Sequence, residues 1–206
     1  MFRSLHRRDI VLLMTFWIAS MGLIGLGLGF LLLRASAAAP AHAPTYVFNP
    51  SQVTAKSLYP LAREAALAWE DDVQFVSASA TWNQPALADL EQPVDWLYRF
   101  YSPKQRRLLF VIVAPDQTVM ARPHLAKTWR ELRLIDPDQW SVDSPASIAN
   151  WLNQGGGGLW LDQTASRAVS AQLTFNISEN KAVWTISGSN QETGQSVNYT
   201  LPASSP

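Results

Sequence analysis

The 24 residues from 10 to 33 carry no charge, and this run constrains the chain more than any other feature. As an α-helix rising about 1.5 Å per residue it would be roughly 36 Å long, against about 30 Å of bilayer hydrocarbon. The apolar region of a secretory signal is only about 7–15 residues long. Arg34 also stands between the run and the small-residue stretch Ala35-Ser36-Ala37. The run therefore reads as a retained membrane anchor rather than a cleaved leader. Arg3, Arg7 and Arg8 precede it, Arg34 alone follows, and no further Lys or Arg occurs until Lys56. That bias places residues 1–9 in the cytoplasm of a bacterial cell and the rest of the chain on the periplasmic, extracytoplasmic side of the membrane.

Within the anchor, Thr15, Gly22, Gly25 and Gly29 fall on one helical stripe. Lipid tails are as apolar as leucine, so membrane helices associate by close backbone packing, which small residues permit. The stripe points to packing against other transmembrane helices, with the bilayer and extracytoplasmic subunits of a membrane complex as partners.

Charge over the whole chain is balanced, with 16 Lys and Arg against 16 Asp and Glu, but beyond Arg34 the chain is slightly acidic and its basic residues are scattered. This excludes the basic stripe that nucleic-acid binding needs. The chain has no cysteine, which rules out disulfides, thiolate metal sites and cysteine nucleophiles.

Residues 34–50 are rich in Ala and Pro and form a spacer. A first helix is expected from Ser57, with Leu58, Leu61, Ala62, Ala65 and Trp69 at helical spacing. Strands are expected near 73–82, 94–102, 107–114 and 118–122. The stretch "LLFVIVA" (108–114) is apolar at every position, so both its faces should be covered. "DSPASIANWLNQGG" (143–156) predicts a second helix, capped by Ser144 and stopped by Gly155. Strands near 168–177, 181–188 and 195–201 complete the reading.

"VSASATW" (76–82) and "VSAQLTF" (169–175) match in register, and each follows a helix with Pro near its start and Trp near its end. The expected fold class is α+β: a transmembrane helix, then a duplicated αβββ unit, residues 51–135 and 136–206, each a helix backing its own antiparallel sheet. This order, with the turn "QETGQSV" (191–197), resembles the PepSY-like family of tandem αβ modules. The first unit has "SPKQRRLL" at the corresponding turn and departs from that pattern. The resemblance implies a binding, inhibitory or assembly role and carries over no active site.

No chemistry-bearing constellation stands out. His124, in "ARPHLAK", is the only histidine beyond the spacer, and one histidine builds no metal cage. Asp71, Asp72, Asp136, Asp138 and Asp143 suit helix ends and turns, since "DPDQWSVD" lacks the glycine and terminal glutamate of a calcium loop. "GGGG" (155–158) is followed by Leu159 and Trp160 rather than a phosphate-loop Lys. No cofactor, metal or catalytic residue is expected. Trp129, Trp140 and Trp160 fall in or near loops, where exposed aromatic rings suit a protein interface. The function expected is a non-catalytic, single-pass accessory or assembly subunit of a bacterial multi-subunit membrane complex, such as an electron-transfer complex of the alternative complex III type. The alternative is a membrane-anchored regulator or inhibitor of an envelope protease or sensor.

Overall fold

The structure, a computed structural model, describes residues 46, 53–124, 132–160 and 166–204, all within the unit Thr45–Pro206. Helix α1 (Ala55–Trp69) begins two residues before the expected Ser57, because Thr54 caps it. The Thr54 hydroxyl accepts from the Ser57 amide (3.1 Å) while the Ser57 hydroxyl accepts from the Thr54 amide (2.7 Å), a capping box with Ser in the usual Glu position. Leu58, Ala62 and Ala66 recur every fourth residue and are buried. Strands β1 (Gln74–Asn83), β2 (Trp96–Ser102), β3 (Arg107–Val113) and β4 (Val119–His124) follow. Helix α2 (Ser144–Asn153) is capped by Asp143 rather than Ser144, and Gly155, with φ +110°, follows its end. Strands β5 (Arg167–Asn176), β6 (Lys181–Asn190) and β7 (Ser196–Pro202) close the described chain.

The strands make one antiparallel sheet of seven, in the order β4-β3-β2-β1-β5-β6-β7. This corrects the expectation of two helix-backed sheets divided at 135/136. The two stretches whose likeness suggested a repeat are central strands that pair with each other, Ala78 opposite Leu173, Ala80 opposite Ala171 and Trp82 opposite Val169. Side by side, each loses an edge whose backbone groups would otherwise lie open to other chains. Two separate sheets would have left both exposed.

The membrane-spanning helix is also corrected. Among the described residues no helix is long and apolar enough to cross a membrane. Helix α1 has 15 residues and α2 has ten, about 22 and 15 Å of rise, and both bury one side only. Residues 10–33, with Thr15, Gly22, Gly25 and Gly29, lie outside the described residues.

Both helices pack on one side of the sheet. The core there holds Trp96, Trp140, Trp151, Trp184, Tyr98 and Phe100, all at most 2 % exposed. Trp184 sits at the seam between the sheet's two ends, edge-on to Trp96 (5.8 Å) and Trp140 (6.1 Å). The indoles of Trp140 and Trp184 both donate to the Val142 carbonyl, at 2.9 and 2.8 Å. Trp151 fits only because Gly188 and Gly156 lack side chains: a Cβ on either would lie 2.4 Å from its ring. So "GGGG" is more than a helix stop, since Gly156 is a packing position.

The helix N-termini are joined through one carboxylate. Asp143 accepts from its own helix at Ser144 N (2.6 Å), from α1 at Lys56 N (3.0 Å), and from the Thr54 hydroxyl (2.5 Å). The Ser144 hydroxyl accepts from Ala55 N (3.1 Å). The first amides of α1, unpaired within the helix, are thereby satisfied by α2's cap, and a negative charge sits where two helix dipoles are positive.

Candidate functional site

Register partners in an antiparallel sheet share a face, so the pairing sorts each strand residue to the helix side or the open side. On the open side of β2, β3 and β4 this gives a grid of three rows. Leu97 faces Ile112, which faces Met120; Arg99 faces Phe110, which faces Arg122; Tyr101 faces Leu108, which faces His124. Among the described residues no element covers this side. The β4 positions are exposed, Met120 by 50 %, while the β2 and β3 positions are partly exposed. The expectation that β3 is covered on both faces is thus corrected: only Leu109, Val111 and Val113 are buried under the helices.

Phe110 is the hub of the grid. The Arg99 guanidinium lies 5.5 Å from its ring centre, and the His124 imidazole stacks on it at 5.0 Å, 16° from parallel. Arg99 donates to the hydroxyls of Ser77 (3.2 Å) and Ser79 (3.1 Å) on β1. Burial holds its guanidinium below the ordinary arginine value, because a desolvated cation is less stable than a hydrated one. No ion pair involves Arg99 or Arg122 among the described residues. The seven strands contain Arg99, Arg107, Arg122, Arg167 and Lys181 but neither Asp nor Glu. The grid therefore combines aliphatic side chains, aromatic rings and cations that have no carboxylate.

The other end of the sheet has a different open side. Ser170, Ser187 and Asn198 form one row, Gln172, Thr185 and Thr200 the next, and Thr174, Val183 and Pro202 the third. The first two rows hold only hydroxyls and amides, the third adds the apolar Val183 and Pro202, and the one charge on this side, Lys181 opposite Asn176 at the end of β6, is paired with Glu179.

The tryptophans expected at an interface are placed otherwise. Trp140 is a core residue, 1 % exposed, and stacks on Phe75 at 6.0 Å. Trp160 is partly buried, edge-on to Trp151 at 6.0 Å, with its indole donating to the Pro85 carbonyl at 3.2 Å. Trp129 lies outside the described residues. The residues that do form a candidate surface, Arg99, Phe110, Arg122 and His124, were missed because Pro123 makes "ARPH" read as a loop. The alternation of Met120, Arg122 and His124 was the signal available.

The acidic cluster Glu70, Asp71 and Asp72 fastens the β2–β3 turn. Asp72 accepts from the Ser102 hydroxyl (2.6 Å) and the Lys104 amide (2.7 Å), Glu70 accepts from the Gln105 side chain (2.6 Å), and Asp71 pairs with Lys104. Burial pushes the Asp72 carboxyl upward, but the Ser102 and Lys104 hydrogen bonds and the Lys104 charge together hold it below its usual range. A recess lined by Val53, Trp82, Leu90, Val94, Trp96 and Ile148 has a volume of about 20 Å³, room for about one water and far below the ~300 Å³ of a small-molecule site. The Trp82 indole N–H, which lacks a partner among the described residues, belongs to a residue of this lining. Comparison with protein-family models, curated proteins and solved structures finds no match to this chain.

Proposed function

We propose that the chain is a non-catalytic interaction module, an accessory or assembly subunit of a multi-subunit bacterial complex, and that it docks through the open side of β2–β4. The observation that carries this reading is the grid itself, where Leu97, Ile112, Met120, Leu108 and Phe110 form adjoining apolar positions on a side that no described element covers. Contiguous apolar patches rimmed by polar groups mark interaction sites on soluble surfaces. Their residue types agree with the interface preference for aromatic rings, Met and Arg.

A photo-crosslinking amino acid in place of Met120 or of Thr200, in the full chain in its native host, tests this. Met120 and Thr200 occupy edge strands at opposite ends of the sheet, both on the open side. Crosslinking to one stoichiometric protein from position 120 and not from 200 is the expected result. Crosslinks from neither position, or equally from both, would end the proposal.

A further inference from the structure

We propose that the occupant of the β2–β4 open side is an acidic, apolar segment of the partner protein, its carboxylates held by Arg99 and Arg122 and its aliphatic side chains seated on Leu97, Ile112 and Met120. This rests on the docking reading above and adds the chemistry of the partner. The argument is one of charge complementarity. Arg99 is fixed in place by two serine hydroxyls and by the Phe110 ring, so little rotamer freedom remains to be lost when an anion binds. Its two bonds to neutral hydroxyls leave the positive charge unneutralised, and Arg122, on the far side of Phe110, is exposed and without an ion pair among the described residues. A carboxylate reaching either guanidinium makes charge-assisted hydrogen bonds on ground made apolar by neighbouring rows. Because the seven strands hold no Asp or Glu, the complementary charge must come from elsewhere.

A polyanion fits less well. Nucleic-acid affinity grows with the number of phosphates neutralised, and this side offers two arginines and one histidine.

The test uses the full chain and short fluorescein-labelled peptides that alternate Glu with Leu, Gln with Leu, or Lys with Leu, together with a single-stranded oligonucleotide. Saturable binding of the Glu peptide is expected, about tenfold tighter than the Gln peptide, with the Lys peptide unbound. Arg122→Glu, at an exposed edge position, and Arg99→Gln should each weaken it about tenfold, and raising salt from about 0.05 to 0.5 M should weaken it further. Thr200→Glu, on the opposite grid, should leave it unchanged, and near-ultraviolet circular dichroism checks that each variant is folded. Equal binding of the Glu and Gln peptides, untouched by the arginine substitutions but abolished by Ile112→Lys, overturns the charge assignment and leaves the docking reading standing. Failure of every peptide up to about 1 mM, beside a specific crosslink from position 120, does the same. Failure of both experiments removes both, and preferential binding of the oligonucleotide replaces the acidic segment with nucleic acid.

Discussion

Turned to their helix side, the two ends of the sheet are alike; turned to their open side, they are not. Under α1 and α2 both ends present rings and branched aliphatic side chains, Tyr98 and Val111 at one end and Trp184 and Ile186 at the other, each fully buried. On the open side, Arg99, Phe110 and Arg122 at one end contrast with Gln172, Thr185 and Thr200 at the other. Even the strand arginines differ. Arg167 of β5 points to the helix side, where its Nε donates to the Leu159 carbonyl at 2.8 Å and its guanidinium lies 5.8 Å from the Trp160 ring centre. Packing density limits what a buried position accepts, so the helix side had little room to diverge. The open side carries no such constraint, and its difference is where a function can reside.

The comparison requires that the shared helix side be one core rather than two. Trp184, on β6, is the residue that decides this, since its ring meets Trp96 of β2 and also Trp140, which itself packs on Phe75 of β1 and Tyr59 of α1. Replacing it with Ala should cost about 3–5 kcal/mol, the range for removing a buried aromatic side chain. Denaturant melts of wild type and Trp184→Ala, followed by fluorescence and by far-ultraviolet circular dichroism, should each show a single coincident transition. Two transitions would mean that the ends fold separately.

A second link joins the ends at the helix N-termini. Asp143→Ala should cost about 2–3 kcal/mol, because it removes charge-assisted bonds to both helices and leaves the Lys56 and Ser144 amides unpaired. Amide exchange should quicken in the first turns of α1 and α2 together. Quickening in α2 alone would show that the contact with α1 contributes nothing.

How much of this was readable beforehand follows from what local patterns encode. Strands such as β2, β5 and β7 leave a period of two and both helices leave capping signals, while β3 is a continuous apolar run that marks a strand without telling its faces apart; "VSASATW" and "VSAQLTF" matched because both strands occupy the sheet's centre. Which strands become neighbours is decided by long-range pairing, so the likeness suggested a repeat when its physical content was the β1–β5 contact. The cap at Asp143 was within reach as a helix-end aspartate, but its bond to Lys56, 87 residues away, was not. The grid around Phe110 was hidden for the same reason: a residue's cross-strand neighbours come from register, not from its flanking sequence. Trp140 misled because it follows a loop-like stretch, and burial there comes from Phe75, Tyr59 and Trp184.

The ends also differ in what their cores can ionise. Tyr59 of α1 packs towards Tyr98 of the sheet, which donates to the Ala55 carbonyl at 2.5 Å, whereas at the other end Trp151 of α2 and Trp184 of the sheet do not titrate. Burial, against a smaller opposing effect of Arg63, pushes the Tyr59 phenol from 10.0 up to about 12. Burial, then the Asp143 charge, raises Tyr98 as well. A phenol whose folded value is raised contributes stability that is fully present below pH 10 and lost as pH rises toward about 12. Thermal melts should therefore hold steady up to about pH 10 and then fall, with tyrosinate absorbance rising together with unfolding. Tyr59→Phe should shift that fall to higher pH, and an unshifted curve would place the ionisable core elsewhere.

The smallest expected effect separates two turns. The β2–β3 turn is fastened by Asp72, through Ser102 and the Lys104 amide. The β6–β7 turn is fastened by the Asn190 side-chain oxygen, which accepts from the Glu192 and Thr193 amides at 2.9 and 3.1 Å. A carboxylate loses acceptor capacity on protonation and an amide does not. Because the Asp72 carboxyl lies below its ordinary 3.8, its contribution is present above that value and is lost as pH falls through the depressed one. Asp72 is partly exposed and its carboxylate bonds only to residues of this turn, which keeps the effect local. On acidification, amide protection at Lys104 should decline while protection at Thr193 persists, once both are corrected for the intrinsic pH dependence of exchange. In Asp72→Asn, Lys104 should be poorly protected at every pH, since a side-chain amide has one acceptor oxygen where the carboxylate used two. Parallel loss at both turns would show that acid acts on the sheet as a whole, and that the two ends differ on their open sides but not in how their turns are held.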